Sequence, residues 1–139
     1  MLNILLTFLK IYGIINTIKF GGIYMLDLNL CFDIYHANDK VGRVEIVNSR
    51  LIKNEVYTNK IIERLFPEST PLPNILSILK GRVICKERCD EDMLRSMGLK
   101  EYNVYDILRV THGVDIDDFM WLKFDEDDKS LCWDDVRVR

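Results

Sequence analysis

Four groups of residues have the types and spacing to do chemistry. The stretch Thr111-His112-Gly113-Val114-Asp115 sets a histidine close to Asp115, Asp117 and Asp118. A carboxylate beside an imidazole strengthens it as a base, which is the arrangement general acid–base catalysis uses. No serine, cysteine or lysine is paired with His112 by spacing as a nucleophile. A structural role competes: a histidine in the last turn of a helix favours the negative helix end, and glycine after it supplies a left-handed cap. We adopt the cap and assign no catalytic residue. His112, Asp115 and Asp118 are the candidates if the chain is an enzyme.

Cys85 and Cys89 are four apart, and Cys31, Cys132, His36 and His112 supply further sulfur and nitrogen. A structural zinc site draws its ligands as two close pairs, and no second pair exists. Residues 115–135 carry nine carboxylates against two lysines, a local charge of −7. A calcium loop needs alternating oxygen ligands, a central glycine and a closing glutamate, and neither Asp115–Asp118 nor Asp125–Asp128 has them. Neither a metal nor another cofactor is expected. The acids read instead as solvated turn residues, or as charges guarding a sheet edge.

Lys80, Arg82, Lys86, Arg88, Arg95 and Lys100 form a basic group around the middle of the chain, but six acids between Glu87 and Asp106 nearly cancel it. Two short helices there are joined by too long a connection for a helix-turn-helix, and no glycine-rich phosphate loop exists. Nucleic acid is not an expected partner. The fourth group is Trp121 and Trp133 with Asp125, Asp127 and Asp128 between them. On adjacent strands the two indoles would pair across the ladder, giving aromatic anchors with an acidic rim also holding Asp117, Asp118 and Asp134. The alternative is that both indoles belong to the core.

The elements that must position these residues follow from hydrophobic period. Leu26, Leu28, Leu30, Phe32 and Ile34 alternate with Asp27, Asn29, Cys31, Asp33 and Tyr35, the period of a strand with one buried face. His36–Lys40 is turn chemistry, Val44 and Ile46 mark the returning strand, and Leu51–Val56 adds a third. Ile61, Ile62, Leu65 and Phe66 form a helical stripe from about Thr58, stopped by Pro67. Asn74 caps a short helix closed by Gly81, Asp90 caps another ending at Gly98, and a last runs from about Asn103 to Thr111. Phe119–Phe124 and Ser130–Trp133 flank the turn Asp125–Lys129 as a closing hairpin. The expected class is α+β: an N-terminal antiparallel β-hairpin, three or four short helices and a C-terminal β-hairpin.

The chain has 139 residues, 48% hydrophobic and 29% charged, with a net charge of −3. That is the length and composition of one globular domain, able to bury a core without disulfides, so reduced thiols and a cytoplasmic setting are expected. Residues 1–24 differ: two lysines, no acid, and almost wholly Leu, Ile, Asn, Lys, Phe, Tyr, Thr and Gly. They fit neither a secretory signal nor a membrane-spanning helix, and no membrane association is expected. Ile, Asn, Lys, Phe and Tyr are what A+T-rich DNA encodes in most frames, and Gly21-Gly22 before Met25 can spell a ribosome-binding site. We expect Met25 to be the natural start, 1–24 to be an extension, and 25–139 to be the single domain.

From Arg82 onward the chain resembles a known group. The residues are Arg82-Val83-Ile84, Arg88, Met93-Leu94, Met97-Gly98-Leu99, Tyr102, Tyr105-Asp106-Ile107, Thr111-His112-Gly113, Asp117-Asp118, Trp121 and Trp133-Asp134-Asp135-Val136. They resemble small Firmicutes proteins typically encoded beside HipA-like kinase-domain proteins, in which a short N-terminal hairpin precedes a similar body. HipA-type proteins are kinases of toxin–antitoxin systems. This chain has no kinase nucleotide or catalytic loop, so the resemblance implies a non-enzymatic accessory or interaction protein of a bacterial mobile-element or toxin–antitoxin context, with a protein partner, a HipA-like kinase among the candidates. The alternatives are a small enzyme using His112 with Asp115, Asp117 or Asp118, and a DNA-binding regulator. A chain beginning at Met25 should melt at the same temperature as the full chain by circular dichroism, and unfolding on that deletion would place the first 24 residues in the fold.

Overall fold

In the computed structural model the described residues are the backbone of 18–20 and 23–25, and residues 27–137. Strands β1 (Ile18–Phe20) and β2 (Ile23–Met25) pair antiparallel in a small sheet of their own. Most of residues 1–24, on which the expected boundary at Met25 rests, lie outside the described residues. The main sheet has four antiparallel strands, β3 (Leu30–His36), β4 (Asp39–Val47), β5 (Arg50–Val56) and β6 (Met120–Phe124), in the order β5-β4-β3-β6. Between β5 and β6 come helices α1 (Leu72–Gly81), α2 (Glu91–Ser96) and α3 (Val104–Thr111), and α4 (Trp133–Val136) follows β6. The α+β class stands.

The alternation in β3 is the organising pattern. Leu30, Phe32 and Ile34 are buried, while Cys31, Asp33 and Tyr35 face the other side. Val44 and Ile46 of β4 and Met120, Leu122 and Phe124 of β6 share the first face, which packs against Ile75 and Leu79 of α1 and Leu108 of α3. Phe32 and Phe124, partners in the ladder, meet edge to face at 5.6 Å. Leu28 is half-buried against the core but precedes the strand, which begins at Leu30, and Leu26 lies outside the described residues.

Three expected elements are corrected. The stripe at Thr58–Phe66 is not a helix: Ile61–Glu63 is a single 3-10 turn, with Ile61 82% and Ile62 85% exposed and Phe66 buried. Thr58 donates to Glu63 and its carbonyl accepts from Arg64, folding the segment on itself, and Pro67 disfavours helix at Phe66. Helix α1 starts at Leu72 rather than after Asn74, because Pro73 suits the first turn, where its missing N–H costs nothing.

The third correction is the C-terminal hairpin. Residue 130 is in a turn and Trp133–Val136 is helical, so β6 pairs not with that segment but with β3, from which it is remote in sequence. The acids after Trp133 decide this: Asp135 accepts the Cys132 N–H at 2.9 Å, and Asp134 and Asp135 fill the first turn, where negative charge meets the positive helix end. Strand β6 is apolar except for Lys123, and with Trp121 buried on one face and Met120, Leu122 and Phe124 on the other it needs cover on both. The helices supply one cover. The chain after β6 supplies the other, with Lys123 donating to the carbonyls of Lys129 and Leu131, and Trp133 packing on Phe119.

Truncation separates the two ends of the corrected Thr58–Phe66 segment. Phe66→Ala should cost about 3–5 kcal/mol in urea unfolding, and Ile62→Ala less than about 0.5 kcal/mol. Comparable losses would restore Ile62 to a buried helical stripe.

Candidate functional site

Strand β6 ends the sheet, so Met120, Leu122 and Phe124 turn backbone groups outward, away from β3. Each is met in turn. The Leu122 N–H donates to the His112 carbonyl at 2.8 Å, and the Leu122 carbonyl lies 3.1 Å from His112 Nδ1. The Phe124 N–H donates to Asp127 Oδ2 at 2.7 Å, and its carbonyl accepts the Asp127 N–H at 3.0 Å. The Met120 N–H donates to Asp118 Oδ1 at 2.9 Å, and its carbonyl accepts from Arg82 Nη2 at 3.1 Å. Four side chains and two peptide groups stand where a fifth strand would be.

Arg82 anchors this edge. Its guanidinium grips Asp118 with two bonds of 2.8 Å and donates through Nε to the Gly113 carbonyl at 2.6 Å. The fork geometry matches a carboxylate with both nitrogens, which a lysine could not do. Burial pushes the Asp118 carboxyl up, but the bonds from Arg82 and the Met120 N–H pull it lower still, so its net shift is downward.

His112 closes α3 in the left-handed conformation, φ 54°, which histidine tolerates better than most side chains. Gly113 follows at φ 61°, where a Cβ would also come within 3.2 Å of Leu108. The expected cap is therefore shared: histidine takes the left-handed position first, and the glycine behind it continues the turn. His112 Nδ1 also lies 3.3 Å from Asp127 Oδ2. Both neighbours of Nδ1 only accept, so the proton sits there. The acid beside the histidine is thus Asp127, across a turn. The expected neighbours are engaged elsewhere, Asp115 accepting the Asp117 N–H and Asp118 held by Arg82.

The other face of the sheet carries a second network. Arg43 bonds Asp125 through both terminal nitrogens at 2.9 Å, Asp33 at 3.0 Å and Glu45 at 2.9 Å. Asp125 raises the Arg43 pKa and Arg43 lowers that of Asp125, so the pair stays charged. Asp128 accepts the Ser130 N–H and hydroxyl, an Asx turn. Trp121 is fully buried, stacked at 4.8 Å on Tyr35, its indole N–H donating to the Ala37 carbonyl at 2.7 Å. Trp133 is half-buried and packs on Phe119 at 5.9 Å rather than on Trp121. The five residues Trp121, Trp133, Asp125, Asp127 and Asp128 are thus dispersed among the β6 edge, the opposite sheet face and a turn.

Arg82 as a clamp and Arg43 as a hub went unassigned in the sequence. Alternating Asp33, Arg43 and Glu45 on strands expected to pair was the available signal for the second. Among the described residues no group of three or more His, Cys, Asp or Glu side chains is placed to hold a metal ion, and Cys85 is exposed at one end of the 3-10 turn Lys86–Arg88 with Cys89 half-buried at the other. No helix among them is long and apolar enough to cross a membrane. No family model, curated protein or solved structure matches the chain.

Because the folded Asp118 titrates below its unfolded value near 3.9, its bond stabilises above that pH and is lost as pH falls through the folded value. Asp118→Asn should therefore lose on the order of 1 kcal/mol at pH 7, a figure kept small because the side chain is 38% exposed. That loss should shrink below about pH 4. Equal urea midpoints for variant and parent at pH 7 would remove the clamp.

Proposed function

We propose that the chain is a non-enzymatic interaction protein of the bacterial cytoplasm, and that it engages a protein partner through the end of the sheet where β3 turns into β4. Supporting this is a set of exposed large apolar side chains, several of them linked to that end of the sheet through His36 and Phe119. Ile61 and Ile62 stand exposed beside Glu63, which lies 3.9 Å from His36. His36 packs edge to face on Phe119 at 5.6 Å, and Phe119 does the same on Trp133. Phe119 is 56% exposed, and Ile116, three residues earlier, is 81% exposed. Large apolar groups gathered in one place and rimmed by charge are what a contact surface looks like; single exposed ones are ordinary.

The rim favours a basic partner. Asp115 and Asp117 flank Ile116 in the chain, Asp134 follows Trp133 and pairs with Arg137 at 3.1 Å, and Glu63 follows Ile62 and is bonded to Lys60 at 3.2 Å. The resemblance to small proteins encoded beside HipA-like kinases supplies the partner class, and a toxin–antitoxin role is proposed on that ground. An acid–base enzyme has less support. His112 Nδ1 and Asp118 are committed to the β6 edge, and no hydroxyl, thiol or amine side chain is hydrogen-bonded to His112 among the described residues. A DNA-binding role has less again, since Arg82, the most buried of the basic group, is spent on Asp118.

Titration calorimetry against a HipA-like kinase-domain protein from the same genome tests this reading. The dissociation constant should rise by about ten-fold or more in the double variant Ile62→Ser, Phe119→Ser, and should rise with ionic strength in the parent. The same affinity in both proteins, indifferent to salt, would rule the surface out.

A further inference from the structure

The two edges of the sheet are treated in opposite ways. Every outward backbone group of β6 at Met120, Leu122 and Phe124 has a partner, as described. Along β5 the backbone pairs with β4 and with nothing else among the described residues. Ile52, the extra residue at the bulge opposite Glu45 and Ile46, is 60% exposed on this edge, and Tyr57, just past its end, is exposed too. The bulge and Lys53 would blunt this edge against indiscriminate pairing, while Lys53 and Glu55, 3.6 Å apart, leave the strand without net charge at that point.

We propose that β5 is the contact through which two copies of this chain associate, the strands running antiparallel about a two-fold axis at Asn54. The argument is charge. Across the face of the sheet opposite the helices one row of ladder partners reads Lys123, Asp33, Arg43, Glu55, alternating in sign from β6 to β5. The next strand must offer a cation opposite Glu55. An axis at Asn54 puts Lys53 of the second copy there, and by the same symmetry Glu55 of the second copy opposite Lys53. The row beside it, Glu45 then Lys53, is continued correctly as well. A two-fold contact needs a patch complementary to itself, and a residue pair of opposite sign placed evenly about one position meets that requirement. Ile52 then lies opposite Val56 of the second copy, which covers the exposed bulge side chain. This surface is separate from the apolar end of the sheet, and the inference does not depend on that reading.

Sedimentation equilibrium of the full chain tests it. The parent should be a concentration-dependent dimer. Lys53→Glu alone sets glutamate against glutamate twice across the axis, and Glu55→Lys alone sets lysine against lysine. Each should weaken association by about ten-fold. An equimolar mixture of the two single variants should recover the parent's affinity, since every pair is again opposite in sign, and so should the double exchange Lys53→Glu, Glu55→Lys. A parent that stays monomeric at every loading concentration overturns the proposal. So does a dimer that neither single variant weakens, because association then uses another face.

Discussion

Much of the molecule depends on how the outer edge of β6 is satisfied. A terminal strand buried on both faces has no water to bond its outward amides and carbonyls, and each one left alone would cost about 1–3 kcal/mol. Arg82 with Asp118, His112 with its own carbonyl, and Asp127 meet those groups one residue at a time. The requirement reaches well beyond the strand. It fixes the left-handed end of α3, because the His112 carbonyl must face Leu122. It ties the end of α1 to the loop before β6 through Arg82. It also sets the turn after β6, because Asp127 must reach back to Phe124.

The opposite face is organised by a different economy. Rather than one buried clamp, it uses rows of alternating charge in which Arg43 answers Asp33, Glu45 and Asp125 together. Exposed pairs contribute little singly, but a guanidinium with several carboxylates and two parallel bonds to one of them holds its geometry better than isolated pairs do. The Asp125 link pins the chain leaving β6 to the centre of the sheet. The chain then returns to the β3–β4 turn, where the Trp133 N–H donates to Asn38 at 3.1 Å. Tyr57 shows the same sensitivity to its surroundings, its phenol pushed up to about 12 by the hydrogen bond to Glu55.

What could be read from the sequence was what is decided locally. The alternation of Leu30, Phe32 and Ile34 needs only the strand period. Asp90 as a cap needs only a carboxylate three residues before the Met93 N–H, which it accepts at 2.8 Å. The Thr111-His112-Gly113 helix end was legible for the same reason. The partner of β6 was not, because adjacent apolar runs with a polar turn between them read as a hairpin unless the acids of Asp134 and Asp135 are recognised as a helix start. Ile61 and Ile62 carry the helical period yet stay exposed, since the period says nothing of whether a surface exists to receive them. The acid beside His112 was misplaced because Asp115 is nearer in sequence while Asp127 is nearer in space.

The pairing of β3 with β6 has a further meaning when the chain is considered in time. Phe32 and Phe124 are partners although 92 residues separate them. Contacts of such range are slow to form, because the entropy of closing the intervening loop is lost before the contact returns anything. During synthesis β3, β4 and β5 are complete long before β6 exists, so a three-stranded sheet waits with the inner edge of β3 unpaired and Tyr35 uncovered. The segment that ends this exposure leaves the ribosome only after all three intervening helices. Early termination anywhere after Val56 but before Met120 would thus leave an aggregation-prone meander instead of a smaller working domain.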